Sequence, residues 1–304
     1  MNSTLASAIN NIFKVNDSLN TTSFVTSYVD FDLPVELSSL FFPAVPSVEE
    51  EEVLQSLIHA IINNYRPYNN MEMYYHTREH INIALFILLR VFNKEHSELC
   101  SPNYLLYTRM LTIALIFHDA KHSLGKTKDS ENIKNALVVF DEFVDSSALN
   151  VLFKEDVASI DKIIATIYIL ILATEYPHFT CKDLRNDKAY PTEDLITIMR
   201  LVDCSTGILG NGASLVYRGL YNELAVKIPY CDFLLNQTKF IASMKKTITE
   251  VTQDDISLCG LYDGLLFNRL WGRFAENHAK LSEWYISKGG WGSFNDATPL
   301  EAFI

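Results

Sequence analysis

Glycine and proline are scarce, with 11 and 9 among 304 residues, which is few for a β protein built on tight turns. Basic residues are also outnumbered, 25 Lys and Arg against 37 Asp and Glu, for a formal net charge of −12. The phosphate backbone of a duplex repels a chain this acidic, so duplex nucleic acid is not an expected partner. A small anionic ligand stays open, because a bound metal ion reverses the local field. No long apolar run occurs. The longest, Ile163 to Ala173, is about half of the roughly 20 residues that span a bilayer, and no membrane partner is expected. The opening MNSTLASAINNIFKV has no basic region ahead of an apolar run, so a cytoplasmic location is expected and secretion by a signal-less route stays open. The five cysteines, at 100, 181, 204, 231 and 259, form no CxxC pair, and an odd number cannot pair fully within one chain. Reduced thiols in a reducing compartment are the expectation. The GxGxxG and GxxxxGK[ST] phosphate loops, the GxSxG elbow and the HExxH helix are all missing.

What is present is a large apolar fraction. Hydrophobic residues make up 48% and charged residues 20%, enough to bury a sizeable core and too apolar for global disorder. Residues 1–48 differ in composition, being rich in Ser, Thr, Asn and Val, with Pro34, Pro43 and Pro46 near the end. They read as an N-terminal accessory extension in which Tyr28 to Leu33 forms a short strand or extended arm. Residues 49–304 read as the main domain. Ser47 followed by Glu49 to Glu52 is a helix N-cap with acids in the first turn. Val53, Leu57, Ile58, Ile61 and Ile62 then recur at helical spacing up to Tyr65. Further helices are expected near 78–92, 104–118, from Ser130, and near 155–174, 192–207, 213–226, 231–250 and 258–287, with Lys121 to Asp129 as a loop hinged at Gly125. The fold class is therefore all-α, a helical bundle.

Four stretches carry chemistry: YHTREH at 75–80, His118-Asp119, His122, and Asp203. His76 and His80 are four apart, as are His118 and His122, and residues four apart share a helix face. Neutral imidazole nitrogen together with anionic carboxylate oxygen is the donor mix of Zn, Fe, Mn or Co.

The set His80, His118-Asp119, Asp203 resembles the HD superfamily of metal-dependent phosphohydrolases. YHTREH followed by FHDAKHS is similar to the YHNxxHA and HDxxHxG motifs of class I cyclic-nucleotide phosphodiesterases. LVDCSTGILG, continuing through Tyr217, Tyr221, Glu223 and Phe233, resembles the DxDLxILG region of small bacterial HD phosphohydrolases. IIATIYILILATEYPHF at 163–179 suits either branch. The resemblance covers residues 55–285, roughly, and implies an HD-domain helical bundle. Its ligands would be His80, His118, Asp119 and Asp203, holding one or two divalent ions of Mn, Fe, Zn, Co or Mg.

The activity it implies is hydrolysis of a phosphodiester or phosphomonoester of a nucleotide-like substrate by metal-activated hydroxide. His76 would protonate the leaving oxygen or serve as a further ligand. His122 would line the site, and Glu131, in DSEN, would orient a ligand histidine or neutralise Lys121. His178 would lie nearby, and Lys121, Lys126, Lys128 and Arg78 would meet phosphate oxygens. Gln253, Phe267, Trp271 and Phe274 are the tail residues available for a purine base. Leu266, Leu270, Phe274 and Trp284 read instead as the core face of a C-terminal helix. A non-catalytic nucleotide-sensing HD module and a di-iron oxygenase are the alternatives. The oligomeric state is left open.

Overall fold

The computed structural model describes residues 31–42, 44–69, 72, 74–92, 103–154, 159–175, 192–208, 212, 215–224, 228–253 and most of 271–279. Among these the protein is all-α, without a strand; the one extended pairing is an isolated bridge between Arg66 and Thr77. The helices are α1 (Leu33–Phe41), α2 (Val48–Asn64), α3 (Arg78–Phe86), α4 (Tyr104–Phe117), α5 (Asp129–Asp145), α6 (Ala148–Leu152), α7 (Ile160–Leu172), α8 (Thr192–Asp203), α9 (Tyr221–Leu224) and α10 (Tyr230–Gln253). A π-helical turn, Ile87–Phe92, prolongs α3, and a second, Leu215–Leu220, precedes α9.

α4 is the axis of the bundle. Every residue from Leu106 to Phe117 is buried. A helix apolar on all sides has no face to give to water and must be surrounded. α1, α2, α3, α5, α7 and α8 all pack on it. Its one buried cation, Arg109, donates from Nε to the Leu40 carbonyl and from Nη2 to the Phe41 carbonyl, each at 3.0 Å. These are carbonyls at the C-terminal end of α1 that no intrahelical N–H reaches.

Local chemistry sets the element ends. Ser47 and Glu50 form a reciprocal capping box at the start of α2, satisfying two otherwise unpartnered N–H groups. Arg78, expected to meet phosphate, instead donates to the Tyr65 carbonyl at 3.3 Å and to the Ile62 carbonyl, closing the other end of α2. Tyr28 to Leu33 does not remain an arm throughout: Asp32 caps α1 and Pro34 sits in its first turn, so Leu33 is helical. Residues 28–30 lie outside the described residues. Leu37, Leu40 and Phe41 of α1 and the following Phe42 belong to the same core as α2 to α8.

α6 has no counterpart in the sequence reading; it follows Ser147, whose φ is +61°. α5 begins at Asp129, one residue before Ser130. The expected 213–226 helix is a π turn running into α9, and the helix expected at 258–287 is described only as helical residues between 271 and 279. No helix among the described residues is long and apolar enough to cross a membrane.

Candidate metal centre

Three helices converge on one point. His80 comes from the first turn of α3, His118 and Asp119 follow the last residue of α4, and Asp203 ends α8. His80, His118 and Asp119 are buried and Asp203 is partly so. His80 Nε2 lies 3.3 Å from Asp119 Oδ2, 3.2 Å from Asp203 Oδ1 and 3.4 Å from His118 Nε2. His118 Nε2 lies 3.0 Å from Asp119 Oδ2 and 3.1 Å from Asp203 Oδ1.

The far side of each imidazole fixes its tautomer. His80 Nδ1 meets the Thr206 hydroxyl at 2.7 Å, and that hydroxyl also faces the Asp203 carbonyl at 3.4 Å and the Tyr75 hydroxyl at 3.2 Å. His118 Nδ1–H donates to the Leu115 carbonyl at 2.9 Å, a group that can only accept. With both protons on Nδ1, two Nε2 lone pairs face two carboxylate oxygens. Four such donors crowded together are unfavourable unless a cation lies among them. The residues therefore fit a divalent ion, and these buried groups can hold one. In the metal-free protein a proton serves instead. Burial opposes charging His118, but Asp119 and Asp203 outweigh it and hold its pKa well above the usual imidazole range. Burial likewise opposes ionising Asp119 and Asp203, yet the adjacent histidines keep both carboxyls below their ordinary range.

Tyr65 aligns the His-Asp doublet. Its buried hydroxyl donates to the Ile116 carbonyl at 2.9 Å and accepts the Asp119 N–H at 3.3 Å, tying the end of α2 to the end of α4.

A second group adjoins the first: His76, His122 and Glu223. Glu223 Oε1 accepts the backbone N–H of Tyr75 at 2.8 Å and of His76 at 3.1 Å. Its Oε2 lies 2.6 Å from His76 Nδ1. The other ring nitrogen of His76, Nε2, faces Asp119 Oδ2 at 3.8 Å. Burial works against charge on His76, but Glu223 and Asp119 prevail and raise its pKa to about 9. Glu223 is lowered in return, its own burial overcome by His76. The His122 ring stacks on His76, centroids 3.5 Å apart. Burial and the neighbouring His76 charge push its pKa down to about 3. Both its nitrogens are in contact, Nδ1 with the Leu124 N–H at 3.0 Å and Nε2 with the Asn132 amide at 2.8 Å.

Thus the structure brings together His80, His118, Asp119 and Asp203, with His76 and His122 beside them. It does not bring Glu131 there. That side chain is half exposed and pairs with Lys134 at 2.7 Å, one turn along the same helix. The next residue, Asn132, is buried and reaches His122. Lys121, Lys126 and Lys128 are exposed. Trp271 and Phe274 are core residues, not a base platform: Trp271 Nε1–H donates to Ser205 Oγ at 3.2 Å, and Phe274 lies against Gly207. His178, Phe267, Leu266, Leu270 and Trp284 lie outside the described residues, as does the side chain of Gln253. Cys204, beside Asp203, is a free thiol whose pKa burial pushes up, and it makes no part of either group.

The residues that sequence reasoning missed as site residues are Glu223, Thr206, Tyr65 and Asn132. Glu223, Thr206 and Tyr65 reach His76, His80 and the Asp119 N–H from distant parts of the chain, and Asn132 reaches His122 from ten residues on. Only Glu223 carried a signal, a single acid in the apolar stretch LYNELAV. Compared with known protein families and with curated proteins, the chain matches none.

Proposed function

We propose that this chain is a metal-dependent phosphohydrolase that cleaves a phosphate ester, diester or monoester, of a nucleotide-like substrate. The observation that carries the reading is the pairing of two functions in one place. A four-donor cluster fit for a divalent ion adjoins a histidine, His76, that is anchored by a carboxylate through one ring nitrogen and directs the other toward the cluster. The resemblance of these residues to HD phosphohydrolases points the same way.

His80, His118, Asp119 and Asp203 would hold the ion. When bound, such an ion lowers the pKa of water and offsets negative charge on phosphoryl oxygens. Glu223, 2.6 Å from His76 Nδ1, favours a proton on the ring. The His76 Nε2–H is the donor available to a leaving oxygen, the step that makes an alkoxide a competent leaving group. Glu223 acts by stabilising the imidazolium and fixing its orientation, and is not itself required to release a proton.

A di-iron oxygenase reading draws less support, because further histidine ligands would be needed. His122 has both ring nitrogens engaged and His76 is committed through Nδ1 to Glu223. A purely sensing module would have no use for a proton-bearing histidine directed at the cluster.

The test is elemental analysis of the purified protein, then a screen of phosphate esters with Mn, Co, Zn, Fe and Mg supplied. Asp119→Ala is expected to lose metal and turnover together while the helical circular dichroism persists. His76→Ala is expected to keep metal and lose ~10²–10⁴-fold on an alkyl phosphate, much less on p-nitrophenyl phosphate. A protein carrying its full metal complement that turns over no phosphate ester would overturn the proposal.

A further inference from the structure

We propose that His122 is a positioning residue: its ring is the fixed platform against which the His76 imidazole stacks, and the loop that follows Asp119 is built to hold that platform and Glu223 together. The inference rests on the reading of His76 as proton donor, and assigns His122 neither a metal nor a proton of the reaction.

The rings of His76 and His122 lie with centroids 3.5 Å apart and planes within 25°. A face-on stack restrains tilt of the His76 ring, and the Glu223 hydrogen bond restrains its rotation in plane. Together they aim Nε2. A platform is useful only if it cannot move, and His122 is held through Nδ1, which accepts the Leu124 N–H, with the Asn132 amide lying against Nε2 at 2.8 Å. Asn132 is itself clamped: its Oδ1 accepts the Ser123 N–H at 3.0 Å and the Thr127 hydroxyl at 3.2 Å. The Thr127 N–H and hydroxyl both reach back to Ser123 Oγ, at 3.1 and 2.7 Å.

The same loop then touches the other restraint on His76. Gly125 has φ +78°, and a Cβ placed there would fall 2.2 Å from the Glu223 carbonyl oxygen. Lys121 and Leu124 also lie in the left-handed region, each with φ +56°. Non-glycine residues adopt that conformation at a cost, and persist in it where the surroundings over-determine the backbone. One loop therefore sets both the face and the anchor of His76. With its one lone pair, on Nδ1, turned to the Leu124 N–H, His122 has none left to offer an ion, although it stands within reach of His76 and Glu223.

The test compares His122→Phe, His122→Ala and Asn132→Ala with the parent protein. The readouts are metal content, the imidazole ¹H–¹⁵N signal of the His76 Nδ1–H, and turnover of alkyl against nitrophenyl phosphate. Phe keeps a flat ring but has no nitrogen. His122→Ala is expected to retain metal, lose the sharp Nδ1–H signal and drop ~10²-fold on the alkyl ester, the scale of a small misplacement. His122→Phe is expected to keep the signal and to stand about ten-fold above His122→Ala. Asn132→Ala, which frees the ring without removing it, is expected to broaden the signal, and carries the test with His122→Phe if His122→Ala does not fold. Loss of metal in His122→Phe would make His122 a ligand and overturn the proposal. Equal loss on the alkyl ester in the Phe and Ala variants would assign its nitrogens to the chemistry, and also overturn it. Should the parent turn over no ester, the hydrolase reading fails while the Nδ1–H signal still decides whether His122 holds His76.

Discussion

Thr206 shows how much of this centre depends on side chains that never touch an ion. Its hydroxyl is 2.7 Å from His80 Nδ1 and sets which imidazole nitrogen carries the proton. Groups in that role commonly change metal affinity 10–100-fold when removed. Thr206→Val keeps the shape and deletes the hydrogen bond, so metal affinity is expected to fall by about that factor, as measured by competition with a chelator. Thr206→Ser should restore most of it. A second prediction at this scale follows from His76 and Glu223. In metal-free protein His76 titrates at about 9 against an ordinary 6.5. The stability it contributes is complete below pH 6.5 and is lost as pH rises through 9. Glu223, lowered from 4.5, contributes in the opposite sense, above pH 4.5, and that part is lost on acidification. A tenfold difference in proton affinity between the folded and unfolded chain is worth about 1.4 kcal/mol. Chemical denaturation of chelator-treated protein is therefore expected to show a fall in stability between pH 7 and 10 that is larger in the parent than in His76→Gln. Equal slopes would mean the pair is not coupled as its geometry indicates. The four proposed ligands could be picked out in the sequence because their types and order resemble a known motif set, whereas Thr206, Tyr65 and Glu223 could not. Their partners lie 126, 51 and 147 residues away along the chain, and a hydroxyl or lone acid announces nothing about what it will face.

Elements position these residues through their ends more than their middles. His80 stands in the first turn of α3, Asp203 ends α8, and His118-Asp119 leaves α4 just before Lys121 turns the chain at positive φ. Helices of this bundle were legible because apolar residues recur at helical spacing and Ser47 announces a cap, which the capping box with Glu50 realises. The irregular pieces were not. Leu215–Leu220 reads as ordinary helix in sequence but takes a π turn, with Gly219 pressed against the Tyr74–Tyr75 backbone. Tertiary contact decides that, not propensity. Gly125 is the position where an element-scale prediction is sharpest. A side chain there meets both an unfavourable φ and the Glu223 carbonyl at 2.2 Å, a backbone atom that cannot swing aside. Gly125→Ala is expected to destabilise the fold by on the order of 1–3 kcal/mol. By pushing Glu223 away from His76 it should lower alkyl-phosphate turnover more than metal content. An Ala variant with unchanged thermal stability and turnover would show that the loop adapts and does not clamp.

At the scale of the whole molecule, the bundle surrounds a helix buried from Leu106 to Phe117 and places two buried imidazoles, one buried carboxylate and one partly buried carboxylate at its end. Those groups are costly to desolvate, and folding must bring them together before any ion can compensate them. Metal binding and global stability are therefore linked: an ion that binds only the folded chain stabilises it by about 2.7 kcal/mol at a free concentration 100 times its dissociation constant. For a chain of this size each kcal/mol moves the melting temperature by a few degrees, roughly 2–4 °C. Chelator-treated protein is expected to melt several degrees below protein supplied with a divalent transition metal, and the increment should grow with the logarithm of metal concentration above saturation. Asp119→Ala should abolish the increment. Its own metal-free melting temperature should change less than the metal-bound one, since removing one of two neighbouring carboxylates relieves part of the crowding that the ion otherwise offsets. A parent protein whose melting temperature ignores chelator and metal alike, at concentrations that elemental analysis shows to be saturating, would mean that the ion sits elsewhere on this acidic surface, and that the convergence of His80, His118, Asp119 and Asp203 serves the fold alone.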